Sequence, residues 1–152
     1  MKTFLSVDVE DWFQVDNLKQ AITRDSWDGN VSRVERNVDV ILGLLDKYDS
    51  KATFFVLGWI ADRFPQVVKK IHQQGHEIAC HGYNHELVYS LTPESFRQDV
   101  IKTKNILEDK KKKKIIGYRA PNFSITDWAI DVLISLGFKY DSSLFLTIAH
   151  NR

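Results

Sequence analysis

Hydrophobic and polar positions change period several times along the chain, and each change marks an element. Residues 3–9 (TFLSVDV) are apolar and β-rich, uncharged until Asp8, which predicts a buried strand. Ser32 and Glu35 have the spacing of a capping box, and Val34, Val38, Ile41 and Leu45 then share a helical face, predicting a helix to Tyr48. KATFFVL (51–57) reads as a second buried strand, and Trp59 to Gln74 as one helix closed by Gly75. HEIAC (76–80) is a third strand, and Thr92-Pro93 opens a helix to Asp109. IIGYRA (115–120), a helix from Thr126 to Leu136 closed by Gly137, and FKYDS (138–142) complete the pattern.

Strand and helix thus alternate, as in a parallel α/β fold. About five β/α units do not close a barrel easily. The sequence stops at HNR soon after the fifth strand, so the expectation is one domain over residues 1–152 that forms the N-terminal portion of something longer. Such a portion leaves an open sheet edge, which a second copy of the chain would cover as a homo-oligomer.

Composition narrows the function classes. With 152 residues, 43% of them hydrophobic and 12% aromatic, the chain suits a single globular domain with a real core. A net charge of +1 gives no reason to expect nucleic acid as a partner. The run Lys110–Lys114 reads as a solvated loop between elements. Cys80 is the only cysteine, which excludes an internal disulfide and, with no second thiol, reads as a small buried residue. No apolar run approaches the ~18 residues of a transmembrane segment. The opening MKTFLSVDVEDW lacks a secretory signal, so a cytoplasmic location is expected.

In parallel α/β folds functional groups collect at the C-terminal ends of strands. The first strand ends in Asp8, Glu10 and Asp11, the third in His81 and His85, the fourth in Arg119-Ala120-Pro121 and the fifth in Asp141. The second ends in apolar Val56-Leu57-Gly58 and looks structural. Two imidazoles and a carboxylate are a common donor set for a catalytic divalent metal. A further carboxylate nearby suits a general base, and an arginine suits orienting it through a charge-assisted contact. His72 and His76 repeat the four-residue spacing of His81 and His85, but their placement on a helix and at a strand start reads as structural. Trp12 and Phe13 are expected in the core.

Five segments, SVDVEDWF (6–13), KATFFVLG (51–58), GHEIACHGYNHE (75–86), GYRAPNFS (117–124) and YDSSLF (140–145), occur in an order that resembles the polysaccharide deacetylases of carbohydrate esterase family four, the NodB-homology domain. The resemblance looks closest to the subgroup of exopolysaccharide loci and is similar to allantoinase-like peptidoglycan deacetylases. It implies an irregular (β/α)7 deacetylase barrel, of which this chain supplies about five β/α units. It also implies a metal-dependent removal of N-acetyl groups from N-acetylhexosamine units of a glycan. Residue by residue, Asp8 matches the general base, His81 and His85 the metal ligands, and Arg119 the holder of the base carboxylate. The backbone N–H of Asn122 matches an oxyanion donor. The implied cofactor is a divalent metal, with Zn2+ the expected ion, and the implied partner is an N-acetylated glycan.

Two positions depart from the family pattern. Val9 follows Asp8 where adjacent aspartates are usual, so the metal carboxylate is Glu10, with Asp11 the alternative. The family's Leu-x-His, which supplies a general acid, has no match, and His150 comes too early for it. Two rival readings follow. One is a non-catalytic glycan- or metal-binding module on the same fold, and the other is a hydrolase of another C–N bond, such as an allantoin-like ureide.

Overall fold

A computed structural model describes residues 4–144 of the chain. Strands β1 (Leu5–Val9), β2 (Ala52–Val56), β3 (Glu77–Cys80), β4 (Gly117–Tyr118) and β5 (Tyr140–Asp141) lie side by side in chain order, each pair parallel. Helices α1 (Val34–Lys47), α2 (Gly58–Arg63), α3 (Pro65–Gln73), α4 (Pro93–Lys111) and α5 (Asp127–Ser135) make the crossovers. Crossovers between neighbouring parallel strands share one hand, and sequential order then places every helix on the same face. Accordingly α1 packs on α3, α3 on α4 and α4 on α5. The result is an arc of a (β/α) barrel, with the α/β fold class read from the sequence.

Side-chain alternation divides the sheet's two faces. Phe54, Val56, Ile78, Cys80 and Tyr118 enter the core beneath the helices, together with Leu42, Ile71, Val100 and Leu107. The opposite face mixes polar groups with the buried Phe55 and Ala79. There the Thr53 hydroxyl donates to Glu77 at 2.8 Å, and Asp8 and Ser6 both receive Arg119.

Several elements differ from the sequence expectation. The first strand is not buried along its length: Phe4 is 88% and Leu5 48% exposed, because among the described residues β1 has β2 as its only strand neighbour. The single helix expected over 59–74 breaks at Phe64, where Pro65 forces the preceding residue out of helical geometry and starts α3. The Ser32–Glu35 capping box does not form, since Glu35 accepts instead from the Gln66 amide at 2.7 Å. Helix α4 takes in Lys110 and Lys111 before Lys112 ends it in a left-handed conformation, so the lysine loop begins later than expected. Its first turn carries a reciprocal cap between Thr92 and Ser95. Phe13 lies in the core, whereas Trp12 stands 38% exposed with its indole N–H on the Val31 carbonyl. Cys80 is fully buried, and burial pushes its thiol pKa up, which makes it inert. No helix among the described residues is long and apolar enough to cross a membrane.

His76 is structural, as expected. It is buried, and its Nδ1 accepts the Ala52 backbone N–H at 3.3 Å, which requires the neutral ring. Burial lowers its pKa below the ordinary value. A depressed histidine contributes stability above its unfolded pKa of about 6.5, and that contribution is lost as pH falls through the folded value. Urea unfolding at pH 7.5 and pH 5 is therefore expected to show an acid loss of stability that His76→Gln makes shallower.

Candidate active site

The C-terminal ends of β1, β3 and β4 bring together residues far apart in sequence. Among the described residues, Glu10, His81 and His85 form the group of metal-capable side chains, each offering a ligand atom within 4.8 Å of the others. His81 follows β3 directly, and its Nδ1 lies 2.8 Å from the Arg119 carbonyl. A carbonyl can only accept, so Nδ1 carries the proton and Nε2 keeps its lone pair. His81 is 1% exposed, and this burial lowers its pKa, keeping the ring neutral and able to ligate.

Glu10 tests whether these residues fit a cation. Its Oε2 lies 2.7 Å from His85 Nε2 but is buried without a directed hydrogen bond. A carboxylate oxygen and a ring nitrogen brought so close off the hydrogen-bond line suit two ligands of one ion better than donor and acceptor. Burial by itself would raise the Glu10 carboxyl, but His85 outweighs it and holds the pKa below the ordinary value. The set of one carboxylate and two imidazoles suits a divalent transition metal with positions left open.

The structure separates Glu10 from Asp11, the alternative ligand. Asp11 is 3% exposed and committed to the entry of α1. Its carboxylate accepts the Arg33 N–H at 3.0 and 3.2 Å, the Trp12 N–H at 3.0 Å and the Ser32 hydroxyl. Asp11 thus ties the segment that enters α1 through the Arg33 amide and the Ser32 hydroxyl.

Beside this group, Arg119 Nη1 donates to Asp8 Oδ1 at 2.8 Å, and Nη2 donates to the hydroxyls of Ser6 at 3.0 Å and Ser142 at 2.8 Å. Nε reaches the Ser142 carbonyl at 3.1 Å, and the guanidinium lies 4.1 Å from the centre of the Phe55 ring. Arg119 therefore acts twice. Its side chain fixes one oxygen of Asp8, and its carbonyl fixes the tautomer of His81. Asn122 sits at the same end of the sheet, in the 3-10 turn Pro121–Phe123, with a left-handed φ of +49°.

One strand-end group turns out to be structural. Asp141 accepts the Ser143 N–H at 2.9 Å and its hydroxyl at 2.6 Å, and the same hydroxyl oxygen accepts the Ala120 N–H at 2.8 Å. Asp141 thereby secures the turn after β4. Ser6 and Ser142, the partners of Arg119, were not singled out in the sequence, because lone serines carry no spacing signal. His150 lies outside the described residues.

The polysaccharide deacetylase family profile matches residues 20–140, a span that contains His81, His85 and Arg119 and starts after Asp8 and Glu10. A peptidoglycan deacetylase of Helicobacter pylori is 33% identical over 110 residues, covering 72% of this chain and 38% of its own length. A peptidoglycan-N-acetylglucosamine deacetylase of Bacillus cereus is 32% identical over 122 residues, covering 67% of this chain and 42% of its own. The chain thus spans less than half the length of these relatives. Among solved structures, the peptidoglycan deacetylase PdaC of Bacillus subtilis superposes with a TM-score of 0.60 at 28% identity, over 62% of this chain and 46% of that one. A CE4 family pseudoenzyme of Bacillus anthracis superposes with a TM-score of 0.72 over 91% of this chain and 41% of its own, a likeness of fold alone at 21% identity. With the profile matched across most of its 152 residues, the chain belongs to the polysaccharide deacetylase family.

Proposed function

We propose that this chain carries the metal-binding and base-bearing part of a hydrolase that removes acetyl groups from N-acetylhexosamine units of a glycan. The observation that carries the reading is the meeting of Glu10, His81 and His85 beside the Asp8–Arg119 pair. The names of the Helicobacter and Bacillus relatives, peptidoglycan and N-acetylglucosamine deacetylases, support an N-acetylated glycan as the substrate.

Glu10, His81 and His85 would hold the ion, with Zn2+ preferred on the chemistry of two imidazoles and one carboxylate. When bound, such an ion supplies Lewis acidity, polarising the acetamide carbonyl and acidifying water. Asp8 keeps Oδ1 on Arg119 and offers Oδ2 to take a proton from the attacking water. Arg119 restricts that carboxylate to one orientation and compensates its charge. The Asn122 N–H would donate to the oxyanion that develops on the acetyl oxygen, a contact of a kind typically worth about 3 kcal/mol.

A second reading of the same residues is binding without turnover. The test is acetate release from N-acetylglucosamine oligomers, with allantoin as a comparison substrate. Zn2+-dependent release of acetate that chelator and Asp8→Asn abolish supports the deacetylase. Glycan binding by calorimetry with no acetate supports the second reading, and turnover of allantoin alone contradicts both.

A further inference from the structure

The residues between the two histidines are held on both edges of their backbone. On one edge the first N–H groups of α2 act as donors: Gly58 to the Gly82 carbonyl at 2.8 Å and Trp59 to the Tyr83 carbonyl at 3.2 Å. On the other edge α4 presents Asp99. Its Oδ2 accepts the Tyr83 N–H at 2.9 Å.

The side chains of the loop are fixed as well. The Tyr83 hydroxyl donates to Asp62 at 3.1 Å, and Lys102 Nζ lies 3.3 Å from the centre of its ring. Asn84 Oδ1 accepts from Arg24 Nε at 2.8 Å. The loop needs this grip because its path is strained. His85 has a φ of +56°. A left-handed conformation costs a non-glycine residue on the order of 1 kcal/mol and persists only where the surroundings over-determine it. Gly82, at φ +74°, lets the carboxylate approach, since a Cβ there would stand 3.1 Å from Asp99 Oδ2. Helix α4 is also pressed against α2, because a Cβ on Gly58 would fall 2.6 Å from Thr103 Oγ1, and Thr103 donates back to the Asp99 carbonyl.

We propose that Asp99 is a positioning residue for the metal centre: by binding the amide of Tyr83 it sets the turn that returns His85 to Glu10, so metal affinity depends on a carboxylate that touches neither ion nor ligand. The inference rests on the reading of Glu10, His81 and His85 as the metal site. It makes α4, which carries none of the ligands, part of the machinery. Burial raises the Asp99 pKa to about 6, so at pH 8 it is ionised and accepts the Tyr83 amide.

The experiment titrates Zn2+ into the metal-free chain at pH 8 for the wild type, Asp99→Asn and Asp99→Ala, and follows amide hydrogen exchange before metal is added. Asp99→Ala is expected to weaken Zn2+ binding about 10- to 100-fold, the range for groups that orient ligands, with Asp99→Asn in between. Exchange should quicken at Tyr83 while the β2 and β3 amides keep wild-type protection. Wild-type affinity in both variants overturns the inference and leaves the metal site standing, and so does a loss that accompanies faster exchange throughout the sheet. No binding by the wild-type chain overturns the metal reading and this inference together. Should Asp99→Ala fail to fold, the nearly isosteric Asp99→Asn decides.

Discussion

Glu10→Gln is expected to weaken Zn2+ binding on the order of a hundredfold or more while the metal-free chain loses little stability. Asp11→Ala is expected to do the reverse. The two carboxylates are neighbours in sequence, yet the strand's end turns them in different directions. Glu10 meets His85 at 2.7 Å, and its Oε2 makes no directed hydrogen bond whose loss would destabilise the fold. Losing a direct ligand should cost more than the 10- to 100-fold typical of outer groups, which sets the lower bound. Asp11, by contrast, accepts from Arg33, Trp12 and Ser32 at the start of α1. Removing it leaves the part-buried Arg33 and Trp12 amides and the Ser32 hydroxyl without their acceptor, at about 3 kcal/mol. Calorimetric titration with Zn2+ and urea unfolding of the metal-free chain check the two halves. Equal loss of metal affinity in both variants would mean that Asp11 also reaches the ion.

Arg119→Ala carries the second large effect, because one side chain ties β1, β4 and the segment after β5 together. The guanidinium donates to Asp8, Ser6 and Ser142 and covers Phe55. Truncation leaves Asp8 without its counter-ion. The pair is partly exposed, with side chains 11% and 27% accessible, so water offsets part of the loss. About 2 kcal/mol is expected, below the 3–5 kcal/mol of a fully buried pair. The effect on acetate release should be larger, about a hundredfold or more, since Asp8 loses its orientation as a base. Arg119→Lys should recover stability before activity, because an ammonium keeps the charge but cannot serve Asp8, Ser6 and Ser142 together. His81 provides an internal control: the main-chain carbonyl of residue 119 survives both substitutions, so Zn2+ affinity should change much less than turnover.

Much of this arrangement was legible in the chain. Strand-like runs separated by capped helices predicted the five-strand parallel sheet, and the rule that chemistry gathers at strand ends brought Asp8, Glu10, His81, His85 and Arg119 into one neighbourhood. What was not legible depended on direction and on long-range partners. Glu10 and Asp11 differ only in which way the chain turns after β1, which residue spacing does not encode. The capping box at Ser32 satisfied a local rule, but the Ser32 hydroxyl donates to Asp11, 21 residues earlier, and Glu35 turns to Gln66. The break at Pro65 was visible in the sequence, and local geometry overrode the helical periodicity on either side of it. Asp99 had no signal, because one acid on an amphipathic helix matters here only through the loop that α4 meets.

The most direct test of the metal centre is an anomalous difference map from a crystal of the chain grown with Zn2+. One peak per chain is predicted, about 2.0–2.2 Å from an imidazole nitrogen of His81, an imidazole nitrogen of His85 and a carboxylate oxygen of Glu10. A peak on His72 and His76, or none near Glu10 in a crystal with Zn2+ bound elsewhere, would contradict the account.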